Sequence, residues 1–465
     1  EENIKSMKQY LQNVVDGVYP QAVNIERNGD IHSIRKGGLM RVSRPDKALE
    51  WIDNLEPGMI LVRNLIKGDI CLFNRAPSLH RQSIMAFRVR PVPTKTIRMN
   101  PTVCIPFNAD YDGDAMKIHI VQTPEARDEA ERLMLLTKNI IHARYGKLTV
   151  ATDQDQTTGL YLFTYTDKSR RNEWNNDGFG FTDEGIPYFS KNKAASIYST
   201  VYSEIRNKKG ENTYRTVDSL PEPDYLGKYY TGRALFSHLF TVLDAEYVSA
   251  TFPGNTPLTE ELEDGTVIVK RDENDEVEKE EILVLNGKLI KGTLEKDSFG
   301  EGGASLAPPF IYHEGYEKGQ EKLVEFIELT TRFGHAAHRV IGFTMGTSDV
   351  SASSVKPKGD MLYNEYANKI KDVDLAFSRG LLKEYVRKHS PEREIYATSD
   401  PLAYIEERVK ELADEYEEKL LIPIEDFQGS GNPMQISVRS RARGNKENIL
   451  QMAGSYGLVR VGPHR

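Results

Sequence analysis

The chain has 465 residues, of which 39% are hydrophobic and 28% charged, with a formal net charge of −8; it is long enough for about two to four separately cored domains, which excludes a peptide or a single small module. No run of about 18 apolar residues occurs, so the sequence offers no membrane-spanning helix. The opening Glu1-Glu2-Asn3-Ile4 carries neither an initiator Met nor a basic-then-apolar leader, and the chain reads as a soluble, non-exported piece cut from something longer.

Residues 1–45 combine a helical pattern from Ile4 to Val14 with turn-rich Asn28-Gly29-Asp30 and Lys36-Gly37-Gly38. From Met59 to Val121 short β-rich runs follow one another: Met59 to Val62, Ile70 to Phe73, Phe87 to Arg90, Thr96 to Met99 and Ala115 to Ile120. Their interruption by Gly, Pro and Asn predicts a compact barrel or small sheet domain. Thr123-Pro124 then opens a helix, with Thr123 as N-cap, Pro124 at the first position, and Glu125, Asp128 and Glu129 suited to the positive end of the dipole. Residues 150–250 are mixed, and the polar tract from Lys168 to Gly178 reads as a surface loop. Residues 260–281 hold eleven acids and three bases, the composition of a solvated loop or hairpin edge. Helices are expected over Lys318 to Arg339 and Leu362 to Lys388. Leu402, Ile405, Val409, Leu412 and Tyr416 recur at the spacing of an amphipathic helix, so this part is expected to form a helical hairpin or bundle. The fold class is therefore α+β.

The two cysteines, Cys71 and Cys104, sit in apolar strand-like stretches without CxxC spacing; they read as buried structural thiols, and no zinc is expected. Charge is unevenly placed. Between Leu61 and Asn100 eight Lys and Arg face one acid, Asp69, and from Gln435 onward six face only Glu447. Two basic islands in an acidic chain leave room for phosphate-bearing partners despite the net sign.

The sharpest motif is Asn108-Ala109-Asp110-Tyr111-Asp112-Gly113-Asp114. Three carboxylates at alternate positions share one face of an extended segment, and Gly113 lets the backbone bend so that they converge. Converging carboxylates repel unless a cation lies between them, and a hard divalent ion such as Mg²⁺, which keeps positions for water and phosphate, meets that need. A calcium-binding EF-hand loop starting at Asp110 fails, because it wants Gly at Ala115 and Glu at Val121. A solvated acidic turn is the plain alternative; against it, Ile105-Pro106-Phe107 before the loop and Met116, Ile118 and Ile120 after it are expected to bury both ends. The second motif, Asn74 to Arg81, places Arg75 beside Pro77 in a basic island, a rigid setting for a planar guanidinium that grips ribose or phosphate. Carboxylates and guanidinium about thirty residues apart in one β domain point to phosphoryl transfer with two metal ions. His335 and His338, three apart on an expected helix, lack a neighbouring acid and read as packing residues.

These motifs resemble a known family. Asn108 to Asp114 is similar to the NADFDGD loop of the largest subunit of multisubunit DNA-dependent RNA polymerases, with Tyr111 in place of Phe. Leu72 to Phe87 is similar to the stretch that precedes that loop in the family. Further similarities run through Tyr19 to Ala22, Glu125 to Leu135, Gln154 to Gly159, Leu285 to Lys296, Gly342 to Gly346 and Ala442 to Met452. The Leu285 stretch favours the archaeal and eukaryotic branch, and the wording is nearest an archaeal A-prime type. Ala115, where the family has Glu or Gln, and the closing stretch from Gly454 depart from the pattern.

The resemblance implies that Asp110, Asp112 and Asp114 hold a catalytic Mg²⁺, while a second ion arrives with the nucleotide. It implies that Arg75 and Asn108 read the ribose hydroxyls with Pro77 shaping the contact, that Arg443 reaches the triphosphate, and that Arg81, Arg88, Arg441 and Lys446 meet nucleic acid. It further implies a double-psi β-barrel over 1–122, a pore region over 123–320, a helical funnel over 321–430, and over 431–465 the start of the region leading to the bridge helix. The implied partners are the second-largest subunit, the subunit carrying the trigger loop, other polymerase subunits, DNA template, RNA transcript and ribonucleoside triphosphates, with no membrane. The implied setting is cytoplasmic and nucleoid-associated in archaea, or nuclear in eukaryotes. Two other readings are a single-chain, two-barrel polymerase of the RNA-silencing type and a non-catalytic assembly subunit.

Overall fold

The structure is a computed structural model, and it describes residues 2–15, 23–27, 39–42, 52–53, 59–62, 65–92, 94–142, 144, 146–175, 178–202, 220–261, 267–270, 272, 278–299, 305–350, 356–428 and 431–455. The turns at Asn28 to Asp30 and Lys36 to Gly38, and the ending beyond Ser455, lie outside the described residues. The fold is mixed, with small antiparallel sheets and many helices, and it divides into two units: Glu1–Asn100 with Pro106–Asn139, and Pro101–Ile105 with Ile140–Arg465.

The first unit opens with the helix Glu2–Val15, as its apolar periodicity predicts. Strands β1 (Val23–Arg27), β2 (Leu39–Val42) and β3 (Met59–Val62) form an antiparallel sheet in the order β2-β1-β3. A second sheet, ordered β5-β4-β6, is built from β4 (Ile70–Arg75), β5 (Ile84–Arg88) and β6 (Met116–Ile120). Ile70, Ala86 and Ala130 form its buried cluster, with Leu72, Val121, Met134 and Leu135 packed around them. The helix Pro124–Glu129 joins this core through a cap made as expected, the Thr123 hydroxyl accepting from the Ala126 amide at 3.2 Å.

Two strand expectations need correction. The run expected at Phe87 to Arg90 begins earlier, because Ile84, Met85 and Ala86 pair with Asn74, Phe73 and Leu72. Thr96 to Met99 forms no strand, and Ile97 is half exposed; Pro91 and Pro101 flank the segment and cannot donate to a ladder. Cys104 likewise lies in a helical turn, Cys104–Phe107, rather than a strand; both thiols are buried.

The second unit is organised round the helices Gln154–Thr164 and Tyr316–Ile341. They approach so closely that a Cβ on Gly159 would lie 2.0 Å from the Gly334 carbonyl oxygen, and one on Gly334 would lie 2.2 Å from that of Gln156. Around this crossing the rings of Phe163, Phe236 and Phe333 pack edge to face. The tract from Lys168 is not all loop: Trp174–Asn175 is β7, paired with β8 (Phe179–Phe181), which continues to β9 (Pro187–Phe189) and β10 (Tyr230–Thr231). In the acidic stretch β12 (Thr259–Glu261) pairs antiparallel with β13 (Val267–Val269), in keeping with the hairpin-edge expectation, and beside it β11 (Ala250–Pro257), β14 (Lys279–Leu285) and β15 (Lys288–Lys291) make a three-stranded sheet. The expected helix Leu362 to Lys388 is in fact two, Lys356–Ser378 and Leu382–His389, parted at Gly380 with its left-handed φ of 70°. Tyr366, Val373 and Leu412 seal Lys356–Ser378 against the long helix Pro401–Gln428, giving the expected helical hairpin. His335 bonds Gln156 and His338 packs on Phe343, both structural uses. Among the described residues no helix is long and apolar enough to cross a membrane.

Candidate functional site

Register decides which groups meet. Strands β4 and β6 pair so that Arg75 stands opposite Met116, which brings the end of β4 beside the residues that enter β6. The other end of the loop is held by packing: the Phe107 ring lies 5.4 Å from Phe73 and 6.1 Å from Phe87, centroid to centroid. Burial of one such ring is worth about 1.5–3 kcal/mol, so the chain enters the loop from a fixed point. Asn108 then takes a left-handed φ of 47° and Gly113 a φ of 122°. A Cβ on Gly113 would meet nothing; the backbone angle, not lack of space, is what asks for glycine there.

Between these two bends Asp110, Asp112 and Asp114 turn their carboxylates together, each offering an oxygen within 4.8 Å of the others. Asp114 Oδ2 accepts from Arg75 Nε at 2.6 Å and from the Asp110 amide at 3.2 Å, while Arg75 Nη1 donates to the Phe107 carbonyl at 3.5 Å. The guanidinium holds the Asp114 carboxyl below the usual carboxylate range. Asp112 is pushed the other way, by its hydrogen bond to Asp110 and by the charge of that neighbour. The two shifts mark where an opposite charge already answers an acid and where like charges press on one another, and a shared cation would relieve the latter. Three carboxylate oxygens and no softer donor suit a hard ion such as Mg²⁺. Beside the loop lies a cleft of about 460 Å³, lined by Lys95, Ile97, Met99, Tyr111 and Met116 among others.

The expected burial of both flanks holds on one side only. Phe107 is 3% exposed, but Ile118 is 50% exposed and the three acids are open to solvent. The cause is topological: among the described residues β6 pairs with β4 alone and so stands at the edge of its sheet. Desolvation therefore gives no argument for an ion here; what favours one is three carboxylates converging on one point, with a mutual repulsion that solvent keeps modest.

Residues 1–136 match the family model of RNA polymerase Rpb1 domain 2, and residues 139–350 match that of Rpb1 domain 3. The chain belongs to the RNA polymerase largest-subunit family. Its similar relatives include the proteins named DNA-directed RNA polymerase subunit Rpo1N in three archaea. That of Methanothermobacter thermautotrophicus is 31% identical over 75% of this chain and 33% of its own length. That of Methanococcus vannielii is 28% identical over 88% and 40%, and that of Halobacterium salinarum 28% over 99% and 39%. The chain thus spans well under half the length of these relatives.

The remaining candidate residues of this largest-subunit family member fall in two places. In the first unit, Pro77 follows a cis peptide bond, Arg81 donates to Asn139 at 3.2 Å, and Arg88 is paired with Glu131. In the second unit, the helix Pro433–Arg439 is capped by Asn432 and the helix Lys446–Ala453 by Asn445. Arg441 and Arg443 lie in the exposed turn between them, Arg441 bonded to Asp297 at 2.6 Å. Arg441 and Lys446 line a cavity of about 540 Å³ together with Lys279, Lys296 and Arg439. Sequence reasoning missed those last three as site residues, although Lys296 closes one of the family-like stretches; their convergence depends on long-range packing that spacing does not reveal. Beneath the cavity Glu295 is wholly buried and accepts from Asn255 at 3.1 Å. Burial pushes its carboxyl up to about 7.

Proposed function

We propose that this chain is the metal-holding part of the largest subunit of a DNA-dependent RNA polymerase, extending the RNA 3′ end with ribonucleoside triphosphates on a DNA template. The observation that carries the reading is the convergence of Asp110, Asp112 and Asp114, braced by Arg75, in a chain of this family. When bound, Mg²⁺ would activate the attacking hydroxyl, and a second ion brought by the nucleotide would steady the departing pyrophosphate. The three aspartates bind; Arg75 and Asn108 distinguish ribose from deoxyribose, with Pro77 shaping that contact. Arg443 reaches the triphosphate, and Arg81, Arg88, Arg441 and Lys446 meet nucleic-acid phosphates. Arg88 gives up an exposed pair with Glu131 to do so, at a cost of about 1 kcal/mol or less.

In the same reading residues 1–122 form the double-psi β-barrel, 123–320 the pore region, 321–430 the funnel, and 431–465 the approach to the bridge helix. Catalysis belongs to the assembly with the second-largest subunit, the trigger-loop subunit and the other polymerase subunits. Its place is the cytoplasm and nucleoid of an archaeal cell, the branch to which the named relatives belong. The test is Asp112→Ala in the reconstituted complex. It should lower nucleotide addition and transcript cleavage by about a thousandfold or more, several kcal/mol of lost charge stabilisation, while leaving assembly intact. Elongation at the unaltered rate would refute the assignment.

A further inference from the structure

We propose that Arg75 is a positioning residue for the metal: with the Asp110 amide it locks one oxygen of Asp114 and leaves the other as the oxygen available for coordination. This rests on the metal-site reading above and adds to it a task distinct from ribose recognition. Asp114 Oδ2 already has two donors, Arg75 Nε at 2.6 Å and Asp110 N at 3.2 Å. Oδ1 has no hydrogen-bond partner among the described residues. A carboxylate pinned in this way can offer one oxygen, and single-oxygen ligation suits the tight octahedral demand of Mg²⁺ better than an unpinned carboxylate that can bind through both.

The brace also ties the two ends of the loop. Arg75 ends the central strand of its sheet, and one guanidinium reaches both the Phe107 carbonyl, where the loop begins, and Asp114, where it ends. Only a planar fork can make both contacts from one side chain; an ammonium is a single point of charge on a flexible stem. Groups behind a metal's ligands orient them, and their loss costs about 10- to 100-fold in metal affinity. A counter-ion role predicts the opposite sign, since removing a positive charge beside three acids would tighten metal binding.

The experiment uses the assembled polymerase without nucleotide, so that ribose contacts cannot contribute. Fe²⁺, kept well below its own half-saturating concentration and supplied with hydrogen peroxide and ascorbate, generates hydroxyl radicals that cut the chain near Asp112, and Mg²⁺ added in competition suppresses the cut; the half-suppressing Mg²⁺ concentration is read for the native complex, Arg75→Gln and Arg75→Lys. The expected result is a rise of about 10- to 100-fold for Arg75→Gln and a smaller rise for Arg75→Lys. Should Arg75→Gln fail to assemble, Arg75→Lys alone decides by the same sign. An unchanged or lower concentration overturns the proposal. If the native complex shows no cut that Asp112→Ala abolishes, the metal-site reading fails first, an outcome distinct from a native site that Arg75 does not influence.

Discussion

Replacing Glu295 by Gln tests how the second unit supports its basic cavity. Glu295 is fully buried; its Oε1 accepts from Asn255 at 3.1 Å, and Oε2 has no partner among the described residues. Burial is the main reason its carboxyl rises from 4.5 to about 7; the Asn255 hydrogen bond opposes the rise, nearby Asp297 adds to it and Arg441 offsets part. A gap of that size corresponds to about 3 kcal/mol at about 1.4 kcal/mol per pH unit. The folded-state value is the higher one, so the contribution to stability is complete below about pH 4.5 and is lost as pH rises through about 7. Gln does not ionise. Glu295→Gln should therefore match the native chain near pH 4 and exceed it by about 3 kcal/mol at pH 8, with no further gain above that. Urea unfolding at a series of pH values measures this, with Trp174, stacked on Tyr188 in the same unit, as the fluorescent reporter in a Trp51→Phe background. A difference that is independent of pH, or a variant that loses ground as pH rises, would show that Glu295 is charged and adequately partnered in the fold, and the reasoning would be wrong.

Two further outcomes follow from the packing. Gly334→Ala puts a Cβ 2.2 Å from the Gln156 carbonyl oxygen and should cost about 1–3 kcal/mol or more, because two helix backbones must part. Gly359→Ala, whose Cβ meets only Leu420 Cδ1 at 3.4 Å, should be neutral or stabilise by up to about 1 kcal/mol through helix propensity; equal effects from the two alanines in urea unfolding would contradict the close helix crossing. Asn432→Ala removes an acceptor for the Met434 and Gln435 amides and a donor to the Asp349 carbonyl. It should cost about 1–2 kcal/mol, and Asn432→Asp, which keeps the acceptor, should recover part of that in the same measurement.

What could be read from the sequence was what depends on neighbours along the chain. Thr123-Pro124 announces its helix because a cap and its target amide lie three residues apart, and the aspartate loop announces itself because its spacing and Gly113 are local. Two of the failures have the opposite cause. Among the described residues Thr96 to Met99 has strand-like composition but no partner strand, and Ile118 has the composition of a buried residue but sits on an edge strand; pairing partners and sheet edges are decided at long range. The Leu362 to Lys388 periodicity continues across Gly380, whose left-handed backbone parts the two helices. At the site, Arg75 and the aspartates were legible as separate motifs. Their contact was not, because it follows from the pairing of Arg75 with Met116, which brings together Arg75 and Asp114, 39 positions apart in the chain.

Exposure of the aspartate loop bears directly on why the proposed chemistry is assigned to an assembly. Two unit charges about 4 Å apart interact by about 1 kcal/mol in bulk water and by about 4 kcal/mol where the effective dielectric constant is near 20. In solvent, then, Asp110, Asp112 and Asp114 can lie within 4.8 Å of one another at little cost, with Arg75 answering one of them. The same screening weakens their hold on a divalent ion. Covering the loop raises both terms together: repulsion among the acids grows, and so does attraction for the ion that relieves it. The edge of β6, unpaired among the described residues, and the exposed face that includes Ile118 lie next to the loop and provide surface for such a cover. The chain thus supplies a bent and braced loop whose grip on a metal is modest while wet, and on the proposed reading the subunit that excludes water is what makes the ion obligatory.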